Sequence, residues 1–140
     1  MASRDDVVRY AYRFVGVPYK WGGDDLEHGV DCSGLIRCVL QRFDLLPSGD
    51  FNSQMLYDQY SSCEVEQFAP GNIVFFGRDT NRIHHVAICV DRKRMIEAAG
   101  GNAKTRTLGM ALARKAAVVV SDINRRDDRV AIVDPFSMEG

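Results

Sequence analysis

Cys32 is the residue whose type and position most clearly point to covalent chemistry, because it stands at the start of a run with helical spacing. Apolar residues follow it at every third or fourth position: Leu35, Ile36, Val39, Leu40 and Phe43. This is the spacing of one helix face, and Asp31 is a good N-cap for that helix. Free N–H groups in a first turn typically lower a thiol pKa to about 3.5–7.5, an effect that a nearby Asp31 carboxylate would oppose. The competing interpretation is a small buried side chain with no reactivity.

A base for that thiol must come from the histidines, which are His28, His84 and His85. Two of them fall in the strand-like run 83–90. Alternation places His84 with the apolar residues of one face and His85 with small Ala87 on the other. The small neighbour leaves space for an imidazole ring, so we predict His85 as the base and His84 as a residue at the rim. A buried histidine with a purely structural role is the alternative.

Glu97 interrupts the otherwise apolar run 95–99. Because a buried unpaired carboxylate is costly, it must face solvent or find a partner. If residues 91–93 form a three-residue loop, Ala87 lies opposite Glu97, and His85 is one diagonal step away on the same face. A loop shorter or longer by one residue would separate the two side chains, unless a bulge intervenes. We take Glu97 as the candidate that orients His85.

The elements that must position these residues can be predicted from periodicity and capping. A first helix is capped by Ser3 and carries an apolar stripe up to Val15; a second follows Asp31, and a third begins at Asn52 or Ser53. The predicted strands are 73–76, 83–90, 95–99, 116–123 and 129–133, and residues 108–115 lean towards a helix. Helices that precede strands predict an α+β fold with a mainly antiparallel sheet.

The amino-acid composition limits the classes of function that the chain can have. The chain has 140 residues, 46% of them hydrophobic and 26% charged, which suits one soluble domain. A net charge of −1 gives no basis for nucleic-acid binding, and no apolar run is long enough for a membrane span. The N-terminus has no visible signal peptide. The four cysteines lack paired short spacings, so we expect reduced thiols and neither a disulfide framework nor a metal site.

Four motifs in order resemble the NlpC-like cell-wall cysteine peptidases. They are Pro18-Tyr19-Lys20-Trp21-Gly22-Gly23, Asp31-Cys32-Ser33-Gly34, Pro70-Gly71-Asn72-Ile73-Val74-Phe75-Phe76 and His85-Val86-Ala87-Ile88. The resemblance covers residues 3–100 well and the tail more loosely. It implies a papain-like α+β fold, with N-terminal helices packed on a C-terminal sheet and residues 1–140 forming one peptidase domain.

The resemblance also implies roles for individual residues. Cys32 would be the nucleophile, His85 the base and Glu97 the third member, at a position where the family usually has His, Asn or Gln. A carboxylate there would favour the protonated imidazole, which predicts an upward shift of the pH optimum. Asn72 replaces a commonly acidic residue, and we expect little consequence.

The implied reaction is hydrolysis of γ-D-glutamyl amide bonds in peptidoglycan stem peptides, without metal or cofactor. The Cys32 N–H and the Tyr19 hydroxyl are candidates for stabilising the oxyanion. Asp31, Ser33 and Tyr19 would bind the short N-terminal end of the stem, with His84 at the edge of the substrate site.

Two other interpretations remain open at this stage. The same site could act as an amidase or acyltransferase on another amide, since a fold does not determine a substrate. The chain could also be a catalytically silent structural module of a phage tail or secretion device. Because no signal peptide is visible, we expect that the domain reaches the bacterial cell wall through a delivery partner such as a phage tail or secretion apparatus or through lysis, or that the sequence lacks its leader.

Overall fold

The computed structural model describes residues 3–20, 22–99 and 116–139. The α-helices within these residues are α1 (Arg4–Tyr12), α2 (Cys32–Arg42) and α3 (Ser53–Tyr60). The strands are β1 (Asp24–Asp25), β2 (Gly29–Val30), β3 (Ile73–Gly77), β4 (Ile83–Cys89), β5 (Arg94–Ala99), β6 (Ala117–Asp122) and β7 (Arg129–Val133). Short 3-10 helices span Ser61–Cys63, Ile123–Arg125 and Pro135–Glu139. The helix predicted at 108–115 lies outside the described residues.

Helix α1 begins at the cap that the sequence predicts, but it ends before Val15, the last residue of the predicted apolar stripe. The Ser3 hydroxyl accepts from the Asp6 N–H at 3.1 Å and the Asp6 carboxylate accepts from the Ser3 N–H at 3.2 Å, which is a capping box. The helix stops at Tyr12, and Val15 is 43% exposed, so its assignment to the apolar stripe is wrong. The reason is tertiary: Gly16 has a φ of 98° and donates to the Val118 carbonyl at 2.8 Å, which leads the chain to β6.

Helices α2 and α3 both begin at the caps that the sequence indicates. The Asp31 carboxylate accepts from the Gly34 N–H at 2.6 Å, and the Asn52 side chain accepts from the Met55 N–H at 2.8 Å. The buried face of α2 is the predicted apolar stripe, and this face contacts β4 and β5. The first turn of α2, with Cys32, therefore lies against the middle of the sheet.

The sheet has five strands in the order β6-β5-β4-β3-β7, and each neighbouring pair is antiparallel. The predicted α+β class is confirmed. Apolar side chains cover both faces. One face joins the helices through residues that include Val86, Ile88, Ile96 and Ala98, and the other forms a separate cluster that includes Phe76, Ala87, Cys89, Met95 and Ile132.

The pairing of β4 with β5 has the register that a three-residue loop predicts. Ile88 lies opposite Ile96, and Cys89 lies opposite Met95. Extending this register places Ala87 opposite Glu97, as expected. The ladder ends at the Ile88 pair, so the two strands separate beside His85 and Glu97. This opening lies next to the first turn of α2.

The small hairpin of β1 and β2 was not predicted, because two-residue strands carry no detectable periodicity. It precedes α2 directly, and Val30 also bridges to Tyr19. The hairpin therefore links the loop that carries Tyr19 to the start of the helix. Among the described residues, every helix is too short or too polar to cross a lipid bilayer.

Candidate active site

The N-terminus of α2 is held in place by the Asp31 carboxylate. This carboxylate accepts hydrogen bonds from the Gly34 N–H at 2.6 Å, the Gly22 N–H at 3.1 Å and the Ser33 hydroxyl at 3.2 Å. A Cβ at Gly34 would collide with the Gly23 carbonyl oxygen, so only glycine fits where the loop crosses the helix. Asp31 thus joins the crossing loop to the turn that carries Cys32.

The Cys32 thiol is partly buried and packs against the main core, and the backbone N–H of Val86 on β4 contributes to its electrostatic environment. Burial, followed by the negative charge of Asp31, raises the pKa of this thiol to about 11, although the Val86 N–H acts in the opposite direction. Burial and the Asp31 charge, whose opposing effect the sequence indicates, therefore outweigh any lowering of the thiol pKa by the helix N-terminus. Thiolate formation near neutral pH must depend on a nearby proton acceptor.

His85 and Glu97 meet on the face of the sheet opposite the main core. His85 Nε2 is 2.7 Å from Glu97 Oε1, and the two side chains are 9% and 0% exposed. The alternative in which Glu97 faces solvent is excluded by this burial. Val86, the residue after His85 on β4, contributes to the electrostatic environment of Cys32, whose side chain packs against the main core.

The charge of Glu97 is stabilised by several donors. Burial alone raises the pKa of this carboxyl, but hydrogen bonds from His85, Arg125 and Ser121 outweigh it and lower the pKa to about 2. Arg125 donates from Nε to Glu97 Oε2 at 2.6 Å and from Nη2 to Oε1 at 2.8 Å. Glu97 is therefore an ionised, bidentate partner of Arg125 as well as a partner of His85.

The imidazole of His85 is also confined by its neighbours. The Phe76 ring lies 5.7 Å from it, centroid to centroid, and the Arg126 guanidinium stacks over the same Phe76 ring at 5.0 Å. Arg126 is in turn bound to the Asp128 carboxylate at 2.7 and 2.9 Å. Hydrogen bonds from Arg126, with a smaller electrostatic contribution from His85, lower the pKa of Asp128.

Tyr19 is near enough to Cys32 for the two groups to interact electrostatically. It is 7% exposed, and burial, followed by the charges of Cys32 and Asp31, raises the pKa of its hydroxyl. The phenol therefore stays protonated and can donate a hydrogen bond towards the space near the thiol. His84, one residue before the imidazole that meets Glu97, is exposed on β4.

A cleft of about 430 Å³ opens beside the start of α2. Its lining includes Asp31 and Ser33, which flank Cys32, together with Asp50, Phe51 and Met55. The cleft combines carboxylates with apolar side chains and is large enough for a short peptide segment. Among the described residues, no three His, Cys, Asp or Glu side chains cluster in a way that could hold a metal ion.

Arg125 and Ser121 are the site residues that sequence reasoning missed. Arg125 belongs to a charged loop between the last two strands, and nothing in its local pattern distinguishes it from Arg126. Glu97 is the residue that could have indicated an arginine partner, because a buried carboxylate commonly needs a cationic partner in addition to a histidine.

The sequence matches the model of the NlpC/P60 family over residues 16–121. Two curated relatives from Bacillus subtilis are each 31% identical to it. The bifunctional muramidase/DL-endopeptidase CwlT aligns over 67% of this chain and 29% of its own length, and the gamma-DL-glutamyl hydrolase over 66% and 22%. The chain thus spans less than a third of the length of these two relatives.

Solved structures show the same fold. An NlpC/P60 family protein from Bacillus cereus superposes with a TM-score of 0.75 at 19% identity, covering 95% of this chain and 40% of that one. RipD from Mycobacterium tuberculosis, described as a non-catalytic NlpC/p60 domain protein adapted to peptidoglycan binding, superposes with a TM-score of 0.65 at 19% identity, covering 96% and 98%. With the family match over most of its length, the chain belongs to the NlpC/P60 family.

Proposed function

We propose that this chain is a cysteine endopeptidase that hydrolyses γ-D-glutamyl amide bonds in peptidoglycan stem peptides. Cys32 is the nucleophile, His85 the general base and acid, and Glu97 the group that orients His85. The observation that carries the proposal is the buried 2.7 Å contact between His85 on β4 and Glu97 on β5, the two strands on which the helix that begins at Cys32 packs.

The protonation states follow from the contacts. Glu97 is ionised at neutral pH and can only accept, so the hydrogen it shares with His85 resides on Nε2. The other ring nitrogen, Nδ1, is then the proton acceptor. Transfer of the thiol proton to Nδ1 creates a thiolate and an imidazolium whose opposite charges stabilise each other, which offsets the raised pKa of Cys32.

The reaction then proceeds in two stages. The Cys32 sulfur bonds to the substrate carbonyl carbon, while the Cys32 N–H and the Tyr19 hydroxyl stabilise the oxyanion. The imidazolium donates its proton to the leaving nitrogen, the C–N bond breaks and a thioester remains. A water molecule gives a proton to His85 and attacks the thioester, and the returning proton restores the thiol and releases a carboxylic acid.

The substrate class is supported by the family and by the names of the relatives, one a DL-endopeptidase and one a γ-DL-glutamyl hydrolase. The cleft beside α2 adds a physical argument. Its carboxylates Asp31, Asp24 and Asp50 outnumber its cation Arg37, which is paired with Asp24 at 2.7 Å, so the cleft suits the positive N-terminus of a short peptide. Ser33 adds a hydroxyl.

Digestion of purified peptidoglycan, followed by mass spectrometry of the released muropeptides, tests the proposal. The wild-type protein is expected to release fragments cut after the γ-linked D-glutamate, and Cys32→Ala is expected to release none. Cys38→Ala is the matched control, because Cys38 lies in the same helix and bonds to the Asp24 carbonyl through its thiol. Fragments that persist with Cys32→Ala would refute the assignment of the nucleophile.

A catalytically silent binding module is the second candidate, and the raised pKa of the Cys32 thiol favours it. RipD is a precedent within the same fold. The two candidates differ in thiol reactivity near pH 6. The peptidase predicts that Cys32 is alkylated much faster than Cys38, Cys63 and Cys89, and that His85→Ala removes the difference. Four equally slow thiols would favour the silent module.

A further inference from the structure

Arg125 is placed to control the charge that Glu97 presents to His85. It lies at the end of the 3-10 helix Ile123–Arg125, after β6, and reaches across to β5. Its guanidinium makes two hydrogen bonds to the two oxygens of Glu97, at 2.6 and 2.8 Å. The oxygen bonded by Nη2 is the same Oε1 that contacts His85 Nε2. One carboxylate thus bridges a permanent cation and the imidazole.

We propose that Arg125 is a positioning residue of this site. Its positive charge compensates the negative charge of the ionised Glu97 carboxylate, so that Arg125 and Glu97 together act on His85 as an uncharged hydrogen-bond acceptor would. This inference rests on the proposed peptidase function. It explains how a carboxylate is compatible with a position that, by the family resemblance, is usually held by His, Asn or Gln.

The physical argument concerns the proton that His85 must release. A buried carboxylate with full negative charge stabilises the imidazolium and makes proton donation to the leaving amine harder. A bidentate arginine draws the carboxylate charge to itself, and its fork also fixes the plane of the carboxylate. Glu97 Oε1 therefore stays aligned with His85 Nε2, while the carboxylate stabilises the protonated imidazole less than an unpaired carboxylate would.

The other charged and titratable groups around this pair do not replace Arg125. Cys32 is the first residue of α2, and in the proposed mechanism it becomes negative only when His85 becomes positive. Arg126 and Asp128, from the same loop as Arg125, bind each other at 2.7 and 2.9 Å. Ser121 on β6 adds an uncharged donor to Glu97. Among the described residues, Arg125 is the cation that bonds directly to the Glu97 carboxylate.

The role proposed for Arg125 leads to a pH dependence different from the one that the sequence alone predicts. An unpaired carboxylate next to the imidazole predicts an upward shift of the pH optimum, whereas a carboxylate whose charge is compensated by an arginine predicts little shift. Glu97→Gln should then leave Arg125 as an unpaired cation near His85 and move the alkaline limb of the pH profile downward. Removing the charge of Arg125 should move that limb upward, by about half a pH unit or more. The double variant, which removes both charges, should return to the profile of the wild type.

The test measures alkylation of Cys32 by iodoacetate as a function of pH, resolved by peptide mass spectrometry, in the whole chain. Iodoacetate is an anion that the imidazolium attracts, so the rate falls as the imidazolium loses its proton. The variants are Arg125→Met, Arg125→Gln, Glu97→Gln and Arg125→Met/Glu97→Gln. Arg125→Gln keeps a hydrogen-bond donor without charge, and it decides the question if Arg125→Met does not fold. Arg94→Met, which removes an exposed arginine bonded to Asp91 at 2.9 and 3.1 Å, is the matched control.

An upward shift in both single Arg125 variants, absent in the double variant and in Arg94→Met, supports the proposal. On a cleaved peptide, kcat should fall roughly tenfold with KM changed by less than about twofold. Thermal destabilisation with an unmoved pH profile would show a structural role only and overturn the proposal. If the peptidase function fails instead, no peptide is cleaved, while the alkylation profiles still report whether Arg125 acts on His85.

Discussion

The residues that could be predicted from the sequence are those that stand out against an apolar background. Cys32 precedes a run of apolar residues with helical spacing, and His85 shares a strand face with the small Ala87. Glu97 is the charged residue in an otherwise apolar strand. Arg125 could not be predicted in the same way, because its partner lies 28 positions earlier and the two meet only when β6 pairs with β5. The direction of the Cys32 pKa shift could not be decided from the sequence, because it depends on how far burial and Asp31 outweigh the helix N-terminus.

Glu97 also makes the stability of the fold depend on pH. The pKa of its carboxyl is about 2 in the folded protein, where hydrogen bonds outweigh burial, and 4.5 is the ordinary value. A lowered pKa contributes stability that is present above about pH 4.5 and is lost as the pH falls towards 2. The contribution is on the order of 3 kcal/mol. Urea unfolding at pH 5 and pH 3 should therefore show a smaller loss of stability for Glu97→Gln than for the wild type.

The control for this measurement is Glu27→Gln, because Glu27 is exposed. Its loss of stability between the two pH values should match that of the wild type. Equal losses in the wild type and Glu97→Gln would contradict the low pKa, and with it the three-way hydrogen bonding of this carboxylate.

Among the elements, the crossing of the 22–23 loop over the start of α2 determines where Cys32 lies. Gly34→Ala should force the Gly23 carbonyl and the Asp31 side chain away from the helix, because the new Cβ would overlap both. We expect a loss of about 1–3 kcal/mol in unfolding free energy and slower alkylation of Cys32 in the protein that remains folded. Thermal unfolding and peptide-resolved alkylation measure the two effects.

Gly49→Ala is the matched control for this substitution. Gly49 has a φ of 119° and no atom within 4 Å of an added Cβ, so alanine there adds backbone strain without a collision. It should lower stability without changing the alkylation rate of Cys32. Normal Cys32 reactivity in Gly34→Ala would show that the crossing does not position the thiol.

The elements differ in how well their sequences predict them. The three-residue loop 91–93 predicts the register of β4 with β5, because side chains alternate strictly and loop length determines which residues face each other. The end of α1 was mispredicted because apolar spacing continues to Val15 while the backbone of Gly16 already pairs with Val118. Local periodicity cannot reveal a hydrogen bond to a strand about a hundred residues later.

For the whole molecule, helices followed by strands predict the α+β class but not the strand order. β7 lies at the edge beside β3, and β6 lies at the opposite edge beside β5. This split places the loop that follows β6, with Arg125, against the open end of the β4–β5 ladder. The charged loop that looks like a simple surface connection in the sequence therefore becomes part of the site.

Substrate class is the property that only the whole site can determine. It depends on how Cys32, the cleft beside α2 and the pair of His85 and Glu97 act on one peptide. The most direct test compares two synthetic stem peptides that differ only in the D-glutamate linkage, through the γ-carboxyl or through the α-carboxyl, with hydrolysis followed by mass spectrometry. The account predicts that the wild-type chain cleaves the γ-linked peptide at least about a hundredfold faster than the α-linked one, and that Cys32→Ala cleaves neither. Equal cleavage of both peptides, or cleavage that survives Cys32→Ala, would contradict it.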